Sequence, residues 1–237
     1  MKKLNNNAKD VFGLWITNRS QYVGKFDLPA VSGSLLDDVD FLALYPEKAL
    51  YHKTEHTMVV FCVDDYKFDD WNKLYFAIIY QNQKILNDFK KRFCNVKYLA
   101  APDYSVYADM ATYKQIDSVA RSRVVQLWLE LESNIKCIPT LTCGGKETLD
   151  WCFDGIEQGS TMFVSLKGAC KKQKSKQNCL AGIKAMIDKV KPNKIIVYTS
   201  SIYKTNELLK PLYDAGIKVI IPSNTLLERN MRYINHE

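Results

Sequence analysis

Short apolar runs alternate with longer amphipathic segments from about residue 57 onward, and this alternation constrains the fold more than any other feature of the chain. The runs are rich in Val and Ile and apolar on both faces, which is typical of strands buried between layers of helices. Strand–helix alternation produces parallel strands joined by right-handed crossovers. The predicted strands span residues 57–64, 96–103, 135–142, 161–168, 193–200 and 217–224.

Predicted helices occupy the segments between these strands. The clearest spans residues 111–134, where Ile116, Val124 and Leu131 belong to an apolar stripe at helical spacing. Pro192 is expected to end one helix and Gly216 another. The predicted helices cover residues 71–93, 111–134, 177–190, 206–215 and 225–235.

The number of strand–helix units predicts an α/β fold of the TIM-like (βα) barrel type, incomplete or seven-stranded, with residues 26–31 as the seventh strand. An open doubly wound parallel sheet is the alternative. We expect a single α/β domain over residues 1–237, in which residues 1–25 form an N-terminal extension and residues 26–237 carry the (βα) repeats. No glycine-rich turn of the dinucleotide or P-loop type follows a predicted strand, which disfavours both kinds of nucleotide binding.

Positive charge is concentrated in the C-terminal half of the sequence. The chain carries 33 Lys+Arg against 26 Asp+Glu, and residues 1–110 are balanced, so the whole excess of +7 lies in residues 111–237. A concentrated basic segment fits a polyanionic partner, although a solvated surface loop is the alternative for the lysine run alone. The lysines expected to contact nucleic-acid phosphates are Lys171, Lys172, Lys174 and Lys176.

Several classes of protein are disfavoured by composition. No apolar run approaches the eighteen or so residues of a membrane span. The N-terminus lacks the apolar region of a secretory signal, so we expect a cytoplasmic protein without membrane association. The seven cysteines form no Cys-x-x-Cys pair and lie far from the three histidines, which predicts neither a disulfide framework nor a zinc site. We expect no cofactor.

Acidic side chains follow two consecutive predicted strands at their carboxyl ends, where ligands bind in both parallel architectures. Asp64 and Asp65 end the first strand and Asp103 ends the second, so these three are the expected catalytic residues. Carboxylates on adjacent strands can push their pKa values apart for acid–base chemistry, or bind a divalent metal. Capping of the following helices is the alternative. Asp69 and Asp70 are expected at a helix N-terminus instead.

Aromatic, hydroxyl and basic side chains occupy the same predicted loops. Tyrosine can stack on a base or sugar ring, and the arginine fork suits phosphate. Loop packing and surface ion pairs are the alternatives. The expected substrate-binding residues are Tyr66, Tyr104, Ser105, Tyr107, Arg121, Arg123, Thr142, Ser165 and Lys167.

Several segments resemble an uncharacterised family of phage- and mobile-element-borne proteins, a domain of unknown function. The resemblance covers about residues 26–200 and implies an α/β domain in a phage, plasmid or anti-phage setting, without an activity. A second similarity is architectural: tRNA-guanine transglycosylase-like barrels, which exchange nucleobases, also place aspartates at strand ends. Those enzymes carry a Cys-rich zinc site that this sequence lacks. The segments that carry the first resemblance are residues 26–31, 61–72, 101–110, the pair Arg121 and Arg123, 138–142 and 152–160.

These observations favour a nucleic-acid-acting enzyme, on DNA rather than RNA, of the N-glycosidase class. In a DNA glycosylase or base-exchange enzyme, a strand-end aspartate would attack or stabilise an oxocarbenium-like C1′, or activate water. A flipped base would stack against Tyr104 or Tyr107. The alternatives are a metal-dependent nuclease or phosphodiesterase with the three aspartates as Mg²⁺ ligands, and a non-catalytic nucleic-acid-binding module.

Overall fold

Parallel strands joined by helices make up most of the chain in the computed structural model, which describes residues 10, 12–34, 36–69, 73–133 and 135–234. The elements are, in chain order, α1 (Leu14–Thr17), β1 (Tyr22–Val23), β2 (Leu28–Pro29), β3 (Phe41–Leu44), β4 (Thr57–Val60), α2 (Leu74–Ile79), α3 (Gln83–Arg92), β5 (Tyr98–Ala100), α4 (Thr112–Glu132), β6 (Lys136–Ile138), β7 (Thr161–Ser165), α5 (Gln173–Val190), β8 (Lys194–Tyr198), α6 (Ile202–Asp214), β9 (Lys218–Ile220), β10 (Ser223–Asn224) and α7 (Thr225–Ile234).

Two parallel sheets contain the strands that follow residue 40. The larger has five strands in the order β10-β3-β4-β5-β6, and the smaller has three in the order β7-β8-β9. All pairs in both sheets are parallel. The α/β class is therefore confirmed. A TIM barrel is not shown, because no sheet closes on itself among the described residues.

The two parallel sheets approach each other at their edges. Just beyond β6, Thr140 forms an isolated parallel bridge with Phe163 of β7. Phe163 donates its N–H to the Pro139 carbonyl at 2.9 Å, and its carbonyl accepts from the Leu141 N–H at 2.8 Å. At the other edge, β10 follows β9 closely in the chain and pairs with β3. The carboxyl ends of strands from both sheets are thereby brought to one side of the molecule.

One apolar cluster is shared by strands of both sheets. In β4 and the residues after it, Met58, Val60 and Cys62 point into this cluster, whereas Val59 and Phe61 belong to a second cluster that packs against helices. Burial on both faces explains why these strands read as uninterrupted apolar runs. The shared cluster consists of Leu36, Val39, Leu42, Met58, Val60, Cys62, Tyr98, Ala100, Ile138, Phe163, Ile196 and Tyr198.

Each of the six strand predictions is confirmed, but the expected seventh strand at residues 26–31 is wrong. Within that segment, Leu28–Pro29 pairs antiparallel with Tyr22–Val23, outside the parallel sheets. A two-residue edge strand tolerates a proline, which lacks the N–H that a central strand must donate. The remaining parallel strand is instead Phe41–Leu44, which pairs with β4.

The helix predictions hold with one division and several shifted ends. The segment 71–93 is interrupted between α2 and α3, where Gln81 has a φ of 54° and the Asn82 side chain accepts from the Ile85 N–H. Asn82 thus caps a new helix. Trp71 and Asn72 lie outside the described residues. None of the helices in the described ranges is both long and apolar enough to cross a bilayer.

Candidate functional site

A cavity of about 690 Å³ lies at the carboxyl ends of β4, β5, β6 and β7, beside the first turns of α5. This position agrees with the rule that parallel sheets bind ligands at the carboxyl ends of their strands. We call it the large cavity. The sequence-predicted residues that line it are Asp103, Ser105, Tyr107, Thr142, Ser165, Lys167, Lys172 and Lys174.

Asp103 is the expected catalytic residue that faces the large cavity. Burial raises the pKa of its carboxyl group to about 7, and the negative charge of Asp65 contributes to the same rise. The Thr142 hydroxyl opposes part of it, although this hydroxyl has no fully formed hydrogen bond within the described residues. A carboxyl group with this pKa is close to half ionised at neutral pH, and it can accept or donate a proton.

Asp65 lies near Asp103 but faces a different cavity. Its carboxylate accepts from the Ser105 N–H at 3.1 Å and the Ser105 hydroxyl at 3.2 Å. Burial raises the pKa of Asp65, and the two Ser105 bonds limit the rise. Asp65 therefore positions the β5–α4 loop and places a negative charge behind Asp103. It lines a smaller cavity of about 200 Å³ together with Asp69, Tyr104, Lys114, Asp117, Ser118 and Arg121.

Asp64 lies at neither cavity. Its side chain is 66% exposed and pairs with Lys67 across 3.3 Å. Tyr66 is also exposed, and the same lysine ammonium lies 5.9 Å from its ring centroid. The three aspartates expected to act together therefore do not converge on one cavity. Within the described residues, no group of three His, Cys, Asp or Glu side chains could hold a metal ion.

The ring of Tyr104 is part of the protein interior. It is only 3% exposed, and its hydroxyl donates to Asp69 at 2.6 Å. Asp69 also accepts from the Tyr75 N–H at the start of α2, as expected for an acid at a helix N-terminus. Asp70 lies outside the described residues. Of the two tyrosines expected to stack on a base, the structure leaves only Tyr107 accessible, at the edge of the large cavity.

The arginine pair of α4 is separated by its position on the helix. Arg121 pairs with Asp117 at 3.0 Å and lies over the ring of Tyr75, in the wall of the smaller cavity. Arg123 is buried and donates to the Cys152 carbonyl at 2.9 Å. Burial lowers the pKa of Arg123 to about 10. Arg123 lines neither cavity, so the structure does not place it where a substrate phosphate could reach it.

Only some of the lysines expected to contact phosphate line the large cavity. Lys172 and Lys174, at the start of α5, line the large cavity. Lys176 forms an ion pair with Glu207 of α6, and Lys171 is exposed and lines neither cavity. Two of the four lysines expected to contact phosphate therefore line the large cavity.

Three cysteines that are not among the expected site residues also line the large cavity. Cys62 and Cys143 follow strands, a position that the sequence signals, and Cys179 is on α5. Burial raises the pKa of the Cys62 and Cys143 thiols well above the ordinary value. Such thiols are neutral and poorly nucleophilic, and they act here as wall residues.

Comparison with known proteins places the chain in a family. Residues 14–214 match the family model described as "Domain of unknown function (DUF4417)". The chain belongs to this family. The family has no described activity, and its match confirms the predicted resemblance to an uncharacterised protein family.

Two curated relatives come from phages. The chain is 29% identical to the Gene 1 protein of Mycobacterium phage L5 over 139 residues, which cover 58% of this chain and 55% of that protein. It is 29% identical to the Gene 1 protein of Mycobacterium phage D29 over 97 residues, which cover 41% and 36% respectively. The chain thus spans about half the length of these relatives, or less. No solved structure matches, so the similarity to transglycosylase-like barrels has no support.

Proposed function

We propose that the chain is an N-glycosidase that acts on DNA in the cytoplasm, releasing or exchanging one nucleobase with Asp103 as its acid–base residue. The observation that carries the proposal is the carboxyl group of Asp103, with its pKa raised to about 7, facing a cavity that also contains Lys167, Lys172 and Lys174. A titrating carboxyl group serves proton transfer, and the lysines serve a polyanionic substrate.

The dimensions of the large cavity favour a single extruded nucleotide over an intact duplex. Its volume of about 690 Å³ is within the usual range for small-molecule sites. Enzymes that react at a base inside a duplex extrude the nucleotide into such a pocket. Tyr107 is 60% exposed at the cavity edge and offers a stacking surface for the extruded base.

The proposed reaction is hydrolysis at C1′ of the extruded nucleotide. Ionised Asp103 takes one proton from a water molecule while the water oxygen bonds to C1′. The C1′–N bond breaks, and its electron pair stays on the base nitrogen. That nitrogen then receives the proton from Asp103, so the carboxylate is regenerated and an abasic sugar remains. Burial, together with the charge of Asp65, keeps the pKa of Asp103 high enough for both transfers.

An incomplete barrel is the arrangement of strands that we propose around this site. The core cluster shared by both sheets supports it, since β3 to β8 contribute alternate side chains to one interior. The Thr140–Phe163 bridge joins the sheets at one edge, and at the other edge β10 of the larger sheet follows β9 of the smaller sheet in the chain. Small barrels fill their interior with side chains in this way and leave the carboxyl ends for binding.

A metal-dependent nuclease is less well supported, because Asp64, Asp65 and Asp103 do not line one cavity. The deciding experiment is incubation with single- and double-stranded DNA and RNA, with and without EDTA, followed by mass spectrometry of released bases. We expect base release from DNA that EDTA does not affect and that Asp103→Asn lowers at least about 100-fold. Asp88→Asn, on the exposed face of α3, is the matched control and should retain full activity.

Two outcomes would contradict the proposal. Strand cleavage that EDTA abolishes would indicate the nuclease. Salt-dependent binding of DNA without release of any base, unchanged in Asp103→Asn, would indicate a binding module instead.

A further inference from the structure

We propose that the exposed ring of Tyr203, at the start of α6, is a stacking surface for single-stranded DNA that leads away from the large cavity. The inference rests on the proposed function for the kind of ligand but not for the reaction, because binding is measurable without turnover. It deepens that function by naming the substrate as a strand of several nucleotides, rather than a single free nucleotide.

Tyr203 is the most exposed of the large apolar side chains in the ranges that the structure describes, with 92% of its surface accessible. Ile202 beside it is 45% exposed. An aromatic ring that is this exposed can stack with a DNA base, and its hydroxyl can still bond to water or phosphate. Single exposed apolar residues are common on protein surfaces, so the position of this ring decides what it can bind.

The start of α6 is joined to the loop that walls the large cavity. The Cys170 Sγ atom donates a hydrogen bond to the Lys204 carbonyl oxygen at 3.1 Å. Gly168 and Ala169, in the same loop as Cys170, line the cavity. Tyr203 directly precedes Lys204, so it lies beside the rim of the cavity, on the side of the molecule where the strands have their carboxyl ends.

The face of α6 that carries Tyr203 is the face that meets α5. Glu207 of α6 forms an ion pair with Lys176 of α5. Tyr203 precedes Glu207 by four residues, and side chains at this spacing lie on one face of a helix. Helical side chains also lean toward the N-terminus of their helix, which for α6 is the cavity side. Tyr203 is therefore placed next to the start of α5 and not on the far side of the molecule.

Lysines connect the large cavity with this ring. Two of them line the cavity from the start of α5, and two more are exposed beyond it. None of the four forms an ion pair among the described residues, whereas the nearby carboxylate of Glu207 is neutralised by Lys176. Unpaired lysines beside an exposed aromatic ring match a nucleic-acid strand, whose phosphates and bases need both kinds of group. The four lysines are Lys171, Lys172, Lys174 and Lys204.

Tyr107 lies on the other side of the cavity from Tyr203. Tyr107 follows β5 and Tyr203 follows β8, and the Thr140–Phe163 bridge places β6 and β7 between them. Three strand spacings, about 14 Å, therefore separate the ends of β5 and β8. Asp109 lines the cavity on the Tyr107 side, so we expect the strand to leave on the Tyr203 side, over the four lysines. Single-strand sites cover at least about four nucleotides, enough to reach Tyr203 from the cavity.

The test compares a long strand with a short one in the Asp103→Asn background, so that no reaction interferes. The probes are single strands of twelve and of two thymidines, studied by fluorescence anisotropy and calorimetry. Tyr203→Ala should weaken binding of the twelve-residue strand about five- to 150-fold, the range that loss of one stacked base gives. Binding of the dinucleotide should change by less than about twofold, because it occupies the cavity without reaching Tyr203.

Two tyrosine variants are the matched controls. Tyr203→Phe keeps the ring and should retain affinity for the long strand within about twofold. Tyr213→Ala removes a ring that is 50% exposed on the same helix, about 15 Å further along α6 and away from the cavity side. It should also leave affinity within about twofold. Thermal unfolding checks that every variant is folded.

The lysines outside the cavity are tested separately. Lys171→Ala with Lys204→Ala should reduce the slope of log K against log salt for the long strand by roughly 1.4, the value for two phosphate contacts on a single strand. Lys91→Ala with Lys184→Ala removes two exposed lysines that do not line the cavity, and it should leave the slope unchanged.

Unchanged affinity for the long strand in Tyr203→Ala would overturn the inference, as would an equal loss in Tyr213→Ala or an equal loss for the dinucleotide. Self-association of the wild type that Tyr203→Ala abolishes, with strand affinity unchanged, would assign the ring to a contact between copies instead. Failure of the proposed function has a different signature. In that case the wild-type chain releases no base, while binding of the long strand still depends on Tyr203.

Discussion

Lys167 donates a hydrogen bond from its Nζ atom to the carbonyl oxygen of Cys62 at 3.0 Å, joining the carboxyl end of β7 to that of β4. These strands belong to different sheets and do not pair with each other. The bond therefore spans the side of the molecule on which the large cavity opens, and both residues line that cavity. It also fixes the position of the lysine ammonium in the wall of the large cavity.

Replacement of Lys167 by methionine tests this bond, because methionine keeps an unbranched side chain but has no donor. We expect the free energy of unfolding to fall by about 1 kcal/mol, the usual net contribution of one hydrogen bond. Lys184→Met, on the exposed face of α5, is the control and should change it by less than about 0.5 kcal/mol. Urea unfolding of both variants gives the comparison. Equal losses would mean that the Lys167 bond does not contribute to stability.

The charge of Asp65 should appear in the pH dependence of activity. Base release that requires ionised Asp103 rises with pH through about 7, since that is the pKa of this carboxyl group. Asp65→Asn removes the neighbouring negative charge, so the pKa of Asp103 falls and the rising limb moves to lower pH by up to about one pH unit.

The measurement is kcat/KM between pH 5 and 9 for the wild type and Asp65→Asn, with Asp88→Asn as control. If kcat/KM rises with pH at the same midpoint in Asp65→Asn as in the wild type, Asp65 acts only through its bonds to Ser105. If an active Asp103→Asn variant shows that same midpoint, the pH dependence does not originate from Asp103.

Asp103 should also lower stability at neutral and alkaline pH. Folding raises the pKa of its carboxyl group to about 7, so between about pH 4 and 7 the native state retains a proton that the unfolded state has lost. The stability that this retained proton gives to the native state is therefore lost as the pH rises from about 4 to about 7. Asp103→Asn removes the ionisation and should raise the free energy of unfolding by about 2–4 kcal/mol at pH 8.

The gain in Asp103→Asn should shrink toward zero at pH 4, where the carboxyl group is protonated in both states. Guanidinium unfolding at pH 4, 6 and 8 measures this trend. A gain that is the same at all three pH values would indicate that the substitution acts through packing and not through ionisation. Asp64→Asn, at an exposed carboxylate, is the matched control.

The sequence predicted strands better than side-chain directions, for a physical reason. A strand buried on both faces requires a continuous apolar run, which is visible in the sequence, and all six such runs contain strands. The short strand Phe41–Leu44 was missed because its apolar run is brief and no clear helix separates it from β4. The segment that contains the antiparallel Leu28–Pro29 was predicted in place of Phe41–Leu44, because both lie near the start of the repeats.

The candidate site was predicted in part for the same reason. Strand ends fix where a loop begins, and Asp103, Thr142 and Ser165 all line the large cavity there. They do not fix which way each following side chain points. Asp64 and Asp65 are neighbours in sequence, yet one is exposed and paired with Lys67 while the other bonds to Ser105. Such choices depend on tertiary contacts that no local pattern encodes.

We expect Tyr104 to have a structural role and Tyr107 a substrate-binding role, and substitutions at the two positions test this difference. Tyr104→Phe removes the hydroxyl that donates to Asp69 and leaves a buried carboxylate with one bond fewer. We expect it to lower the free energy of unfolding by about 1–3 kcal/mol. Tyr107→Phe should change stability by less than about 0.5 kcal/mol, because its ring is exposed.

For substrate binding we expect the reverse, so that the loss falls on the Tyr107 variant and not on the Tyr104 variant. Tyr107→Ala removes a stacking surface, and we expect it to weaken binding of single-stranded DNA by about 1–3 kcal/mol. Anisotropy titrations and thermal unfolding of the variants separate the two effects. Loss of DNA affinity in a fully folded Tyr104→Phe, together with normal affinity in Tyr107→Ala, would reverse this assignment.

Gly182 of α5 packs against Cys143 in the wall of the large cavity. Whether Gly182→Ala lowers or raises the free energy of unfolding should therefore depend on the side chain at position 143. A Cβ atom at Gly182 would lie 2.5 Å from the Cys143 sulfur, much closer than atoms can pack. Gly182→Ala should therefore lower the free energy of unfolding by about 1–3 kcal/mol, and displacement of Cys143 into the cavity should weaken ligand binding. In a Cys143→Ala background the clash is absent, so the same change should stabilise by up to about 1 kcal/mol, the helix preference for alanine over glycine. A double-mutant cycle from urea unfolding measures this coupling, and additive effects would mean that the two residues do not pack as described.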